Sequence, residues 1–174
     1  SRWKSMRRLL LLRHAKTETD APSGHDQDRR LDERGHRDAA EIGGWIAGHP
    51  PIPELALVSP AVRTTQTWEI VRDAIKGAGP QPNVEFVPDL YGADPAQLLT
   101  AIRMASVADP KRLMLIGHNP GMHELALTLT GSGDEAAKRA LSDNLPRSST
   151  SRPTTGTRCR SGAASSSCSL ALNY

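Results

Sequence analysis

Apolar positions in this chain gather into short, unmixed runs, and these alternate with longer segments whose apolar residues recur at helical spacing. The first run is Leu9-Leu10-Leu11-Leu12, which ends abruptly in Arg13-His14-Ala15-Lys16. A wholly apolar run of that length reads as a strand buried on both faces, as in a parallel sheet. Arg7 to Leu12 is therefore expected as the first strand. Leu55 to Val58, Val84 to Val87 and Arg112 to Ile116 are expected as three more.

Between the strands lie helical patterns with recognisable ends. Asp32-Glu33-Arg34-Gly35 opens a segment to about Gly48 in which Ala39, Ile42, Trp45 and Ile46 share one face. Ser59-Pro60 reads as a helix start, a side-chain cap followed by proline at the first helical position, for a helix to about Lys76. Pro95 opens a third helix through Ala105, a fourth follows Gly121 to about Thr130, and a short one is expected over Asp134 to Leu141. Thr17 to Arg30, rich in Asp, Gly, Pro and Ser, reads as a loop. Alternation of this kind predicts a three-layer α/β/α domain, a mostly parallel sheet flanked by helices.

The pattern breaks near the C-terminus. Eight of the 29 residues from Pro146 to Tyr174 are serine and none is Val, Ile, Phe, Met or Trp, too little apolar surface to offset the cost of ordering the chain. The expected organisation is an extension over residues 1–6, an α/β domain over 7–146, and an unstructured or aberrant tail over 147–174.

Charge changes the picture only slightly. The tail carries four arginines and no acid, so removing them from the net charge of +3 leaves residues 1–146 at −1. A basic pI arising in this way does not describe a nucleic-acid-binding face, and the six aromatic residues offer little for base stacking. Both cysteines, Cys159 and Cys168, lie in the tail, and two isolated cysteines are neither a disulfide framework nor a zinc signature. No apolar stretch approaches the length of a membrane span, and the leucine run lacks the flanks of a secretory signal. The expectation is a cytoplasmic protein with no membrane or nucleic-acid partner.

Three polar sites follow buried strands: Arg13-His14, the stretch from Ser59 to Arg63, and His118 in Gly117-His118-Asn119-Pro120-Gly121. Ligands of open α/β sheets bind at the carboxyl ends of the strands. Two arginines and two histidines converging there would suit a tetrahedral dianion, because guanidinium forks match phosphate oxygens. A neutral imidazole among arginines is a competent nucleophile toward phosphorus, and those charges lower its pKa. Plainer readings exist for each part taken alone. Gly-His-Asn-Pro-Gly could be a turn, and Asn119 stands where a hydrolase elbow would place serine. Thr64, Thr65 and Gln66 could be surface polars. His118, His123 and Glu124 lack the spacing of a helix-borne metal site.

Together, Leu12-Arg13-His14-Ala15-Lys16, Asp28-Arg29-Arg30-Leu31-Asp32-Glu33-Arg34-Gly35, Val58-Ser59-Pro60-Ala61-Val62-Arg63-Thr64-Thr65-Gln66-Thr67 and Ile116-Gly117-His118-Asn119-Pro120-Gly121 occur in the order of a known family. The chain resembles the histidine phosphatase (phosphoglycerate-mutase-like) superfamily, and within it the phosphohistidine phosphatases of the SixA type. That resemblance implies a phosphorylated nucleophile at His14, a phosphate pocket of Arg13, Arg63 and His118, and no metal or organic cofactor. Asp20 and Asn119 join these as candidate substrate-binding residues. The implied substrate is phosphate on a histidine of a partner protein. The alternatives are a small-molecule phosphomonoesterase or mutase on the same site, and a phosphate-binding scaffold with weak catalysis.

Two features depart from the family. Pro88 to Asp94 holds no glutamate to serve as proton donor, and Asp89, Asp94 or Tyr91 would have to substitute. After Asn144-Leu145-Pro146 the family continues into another apolar strand, whereas here a Ser/Arg/Thr-rich run follows, so the last strand is expected to be missing or altered and a sheet edge left uncovered.

Overall fold

The structure, a computed structural model, describes residues 8–105, 110–131, 155–159 and 168–173. Strand β1 (Arg8–Arg13) is followed by α1 (Glu33–Ala47), β2 (Leu55–Val58), α2 (Val62–Ala74), β3 (Asn83–Phe86), α3 (Pro95–Ala105), β4 (Arg112–Gly117), α4 (Gly121–Gly131), β5 (Thr155–Cys159) and β6 (Cys168–Asn173). The sheet order is β3-β2-β4-β1-β6-β5, in which β3, β2, β4 and β1 run parallel. The residue 1–6 extension and the expected helix over Asp134 to Leu141 lie outside the described residues.

Both faces of β1, β2 and β4 are buried, as their unmixed apolar sequences require. Leu9 and Leu11 of β1 pack with Leu113 and Leu115 of β4 beneath Leu98 and Ile102 of α3 and Leu125 of α4. Leu10 and Leu12 point the other way and pack with Met114 and Ile116 against Ile46 of α1 and Trp68 and Val71 of α2. Side chains alternate between faces along a strand, so one leucine run supplies two cores. The start of α1 is set by Asp32, whose carboxylate accepts from the Gly35 backbone N–H at 2.7 Å.

The tail departs from expectation. Within 147–174 the chain forms β5 and β6, and β6 pairs antiparallel with β1 from Arg8↔Asn173 to Leu12↔Ser169. At these two segments the tail is paired rather than unstructured, and the β1 side of the sheet is covered by β6. Serine content averaged over 29 residues conceals the local stretch Ser169-Leu170-Ala171-Leu172, and β1 presents unpaired backbone groups for it to join. In the β5–β6 pairing Cys159 stands opposite Cys168. At the other end of the sheet the edge strand β3 begins one residue earlier than its apolar pattern suggests and is exposed throughout.

Candidate active site

The site lies at the carboxyl edge of three adjacent strands. In register, Leu12 and Val58 both pair with Ile116, so the residues just beyond β1, β2 and β4 stand side by side. His14 follows β1, Ser59 follows β2 and His118 follows β4. Backbone bonds extend the ladder past the strand ends: His14 N–H donates to the Gly117 carbonyl and Ser59 N–H to the Ile116 carbonyl, each at 3.1 Å.

The two imidazoles are buried and their ring centroids lie 5.4 Å apart. His14 Nδ1–H donates to its neighbour's carbonyl, Ala15 O, at 2.8 Å, which leaves Nε2 as the unprotonated nitrogen of the neutral ring. Burial, reinforced by the charges of Arg13, Arg63 and Arg29, lowers the His14 pKa to about 4. His118 Nε2 shares a hydrogen bond of 2.7 Å with the Ser59 hydroxyl, while Nδ1 is buried with no partner among the described residues. Burial, then the charge of Arg63, lowers its pKa to about 3. Both histidines are therefore neutral at pH 7, and a neutral His14 ring can attack phosphorus.

Arg63 sits in the first turn of α2, buried along its side chain. Its Nη1 donates to the Asp26 carbonyl at 2.7 Å and its Nη2 to Asp26 Oδ2 at 2.9 Å, while Nε makes no hydrogen bond among the described residues. Asp26 Oδ2 also accepts from the Tyr91 hydroxyl at 2.6 Å, and Arg29 Nε approaches Oδ1 at 3.5 Å. The Tyr91 hydrogen bond, then Arg63 and Arg29, holds the Asp26 carboxyl below its ordinary range; the same bond raises the Tyr91 phenol. The Tyr91 ring stands edge-on to His118 at 5.4 Å.

The structure thus brings His14, Arg63, His118 and Tyr91 together, and the fields of Arg13 and Arg29 reach both the cluster and each other. Asp20, Asn119 and Asp89 are exposed, and among the described residues no hydrogen bond or ion pair ties them to it. Asp94 is committed elsewhere: its Oδ1 accepts from Gln97 N–H at 2.8 Å and Gln97 Oε1 accepts from Asp94 N–H at 3.0 Å, a capping box for α3. Of the three candidate donors, only Tyr91 contacts the cluster.

Three assignments change. Ser59 is not a helix cap: α2 begins at Val62 without a side-chain cap, and the Ser59 hydroxyl turns to His118. Thr64 is not a surface polar, since it is fully buried with its hydroxyl donating toward the Ser59 and Ala61 carbonyls at 2.7 and 2.8 Å. Gln66 ties the 17–31 loop to α2 by accepting from Leu31 N–H at 2.8 Å. Asp26 and Arg29 are the residues that sequence reasoning missed as site members. Their available signal was an acid and an arginine three residues apart in a loop beside a strand end, which is common on protein surfaces.

Comparison with known proteins fits this geometry. An uncharacterized chloroplastic protein of Arabidopsis thaliana is 35% identical over 132 residues, 72% of this chain and 60% of that protein. An uncharacterized protein of Mycobacterium leprae is 34% identical over 144 residues, covering 79% of this chain and 83% of the relative. The crystal structure of a "putative phosphohistidine phosphatase SixA" from Agrobacterium tumefaciens superposes with a TM-score of 0.65 at 31% identity, covering 80% of this chain and 86% of that one. The sequence profile of the histidine phosphatase superfamily (branch 1) matches residues 9–90. The chain belongs to the histidine phosphatase superfamily. The profile's span takes in β1 with His14, the 17–31 loop with Asp26, the first turn of α2 with Arg63, and the turn before Tyr91. His118 lies beyond it, but the sheet register brings that histidine to the same edge. Among the described residues, no helix of this histidine phosphatase superfamily member is long and apolar enough to cross a membrane.

Proposed function

We propose that this protein is a phosphatase that removes phosphate from phosphohistidine on a partner protein, through a covalent phosphohistidine at His14. The observation that carries this reading is the His14 ring. It is neutral at pH 7 and held through Nδ1 to Ala15 O, its centroid lies 5.4 Å from that of His118, and the charges of Arg13 and Arg63 act on it.

In the first step His14 Nε2 bonds to phosphorus as the P–N bond to the substrate imidazole breaks; the substrate ring enters with its other nitrogen protonated, so that imidazole leaves neutral and keeps that proton. In the second, water attacks phosphorus, the P–N bond to His14 breaks, and orthophosphate departs. Arg13 and Arg63 stabilise charge on the equatorial oxygens, which is where a metal-free phosphoryl transfer must find its positive charge. With the His118 proton on Nδ1, the nitrogen without a partner among the described residues, the Ser59 hydroxyl donates to Nε2. That N–H is then a donor for a phosphoryl oxygen.

The absence of a glutamate from Pro88 to Asp94 also supports a phosphoramidate substrate. A P–N bond breaks readily once its nitrogen is protonated, so a strong general acid is less needed than for an alkyl phosphate. Tyr91 is a weak candidate for that acid, because its proton is directed at Asp26 and its pKa is raised.

The test is phosphate release from phosphoramidate in the presence of a chelator, for the wild-type protein and a His14→Ala variant shown to be folded. Turnover by the wild type that disappears in the variant is expected. Activity that survives the substitution refutes the covalent route. A preference for sugar phosphates over phosphoramidate would select the phosphomonoesterase alternative.

A further inference from the structure

The loop from Thr17 to Leu31 is closed at its base by a bridge between those two residues and by Glu18 N–H donating to the Arg30 carbonyl at 2.9 Å. Beyond that closed base, a single 3-10 turn over Asp26–Asp28 reaches α2. There Asp26 meets Arg63 twice, through its own carbonyl and through Oδ2, and meets Tyr91 and Arg29 with the same carboxylate.

A guanidinium offers five N–H groups in a rigid planar fork. Asp26 takes one hydrogen from each terminal nitrogen of Arg63, which fixes both the tilt and the rotation of the plane. The Nε–H is left buried and without a partner among the described residues. A buried charged donor without an acceptor is costly, so this edge of the fork is the one shaped for a ligand.

We infer that Asp26 is a positioning residue: it grips the outer edge of the Arg63 guanidinium so that the Nε edge faces the phosphoryl group at His14. The inference rests on the phosphate pocket of the proposed function. Asp26 does not touch substrate in this scheme and acts through Arg63. Tyr91 donates to the same carboxylate oxygen, Oδ2, and the guanidinium lies over its ring, 5.8 Å from Cζ to centroid. Both loop and turn thereby contribute to one side chain of α2.

The experiment is direct calorimetric titration with orthovanadate, which binds whether or not the protein turns over. It compares wild type, Asp26→Ala, Asp26→Asn, Arg63→Ala and the Asp26→Ala/Arg63→Ala double variant, each checked by thermal melting. Asp26→Ala is expected to weaken vanadate about tenfold, while Asp26→Asn, which keeps an oxygen acceptor, stays within about threefold of wild type. In the Arg63→Ala background the Asp26 substitution should have no further effect. An equal loss in both backgrounds, or tighter binding once the carboxylate is removed, overturns the inference; the latter would make Asp26 a competitor for the anion. Failure of the wild type to bind vanadate overturns the pocket and this inference together. Binding without phosphate release from phosphoramidate overturns the proposed function alone, because the coupling of Asp26 to Arg63 is read from binding.

Discussion

Two neutral histidines buried at one sheet edge make the folded protein sensitive to mild acid, and His14 gives the sharper test. The residue is 8% exposed, and burial together with three arginines lowers its pKa from 6.5 to about 4. In the unfolded chain it titrates at the ordinary value, near 6.5. A histidine whose folded pKa is depressed contributes stability that is fully present above its unfolded pKa. That stability is lost as pH falls toward the folded value, because the unfolded state then binds the proton the folded state refuses. The slope within this window approaches about 1.4 kcal/mol per pH unit, and between pH 7 and pH 5 the loss amounts to about 2 kcal/mol.

The perturbation that isolates this contribution is His14→Gln, which retains a side chain of similar reach and polarity but cannot titrate. Urea unfolding of both proteins at pH 7 and pH 5, in buffer free of phosphate, gives four stabilities. Phosphate is omitted because an anion bound to the native state would add its own stabilisation. Carboxylates that titrate over the same range are common to both proteins and cancel. The wild type is expected to lose about 2 kcal/mol more than the variant on acidification. Equal losses would refute the neutral, buried state of His14, and with it the electrostatic basis of its nucleophilicity.

Two further predictions concern the frame around the histidines. Ser59→Ala removes the 2.7 Å partner of His118 Nε2 and leaves that nitrogen buried and unsatisfied; a loss of about 1–3 kcal/mol is expected in thermal or urea unfolding, and an unchanged midpoint would contradict the bond. Gly121→Ala places a methyl group against the Ala93 backbone carbonyl at the start of α4; it should cost about 1–3 kcal/mol by the same measurement, since backbone must move to admit it.

How much of this was legible in the sequence depended on whether a residue is placed by a regular element or by a loop. His14 and His118 were visible because each follows an apolar run whose strand has no freedom of register: slipping β1 or β4 by one residue would exchange the two faces of a doubly buried sheet. Arg63 was visible for a related reason, one turn into a helix that begins beside β2. Asp20 and Asp26 had no such constraint. Both are exposed acids in the same polar loop, and no periodicity distinguishes the one that hydrogen-bonds to α2 from the other.

Ser59 shows a different limit. Its sequence context is that of a helix cap, and local propensity alone supports that reading. The sheet, however, places His118 one strand away with a buried ring nitrogen that needs a partner, and satisfying that nitrogen outweighs capping a helix whose first turn Thr64 already helps to hold. The strand at residues 168–173 failed for a third reason: its pairing depends on the open side of β1, more than 150 residues away in the chain, which no local composition can report. Sequence thus located the groups that carry charge at the strand ends. The contacts that orient them, Asp26 on Arg63 and Ser59 on His118, arise only when the loop and the neighbouring strand are folded against them.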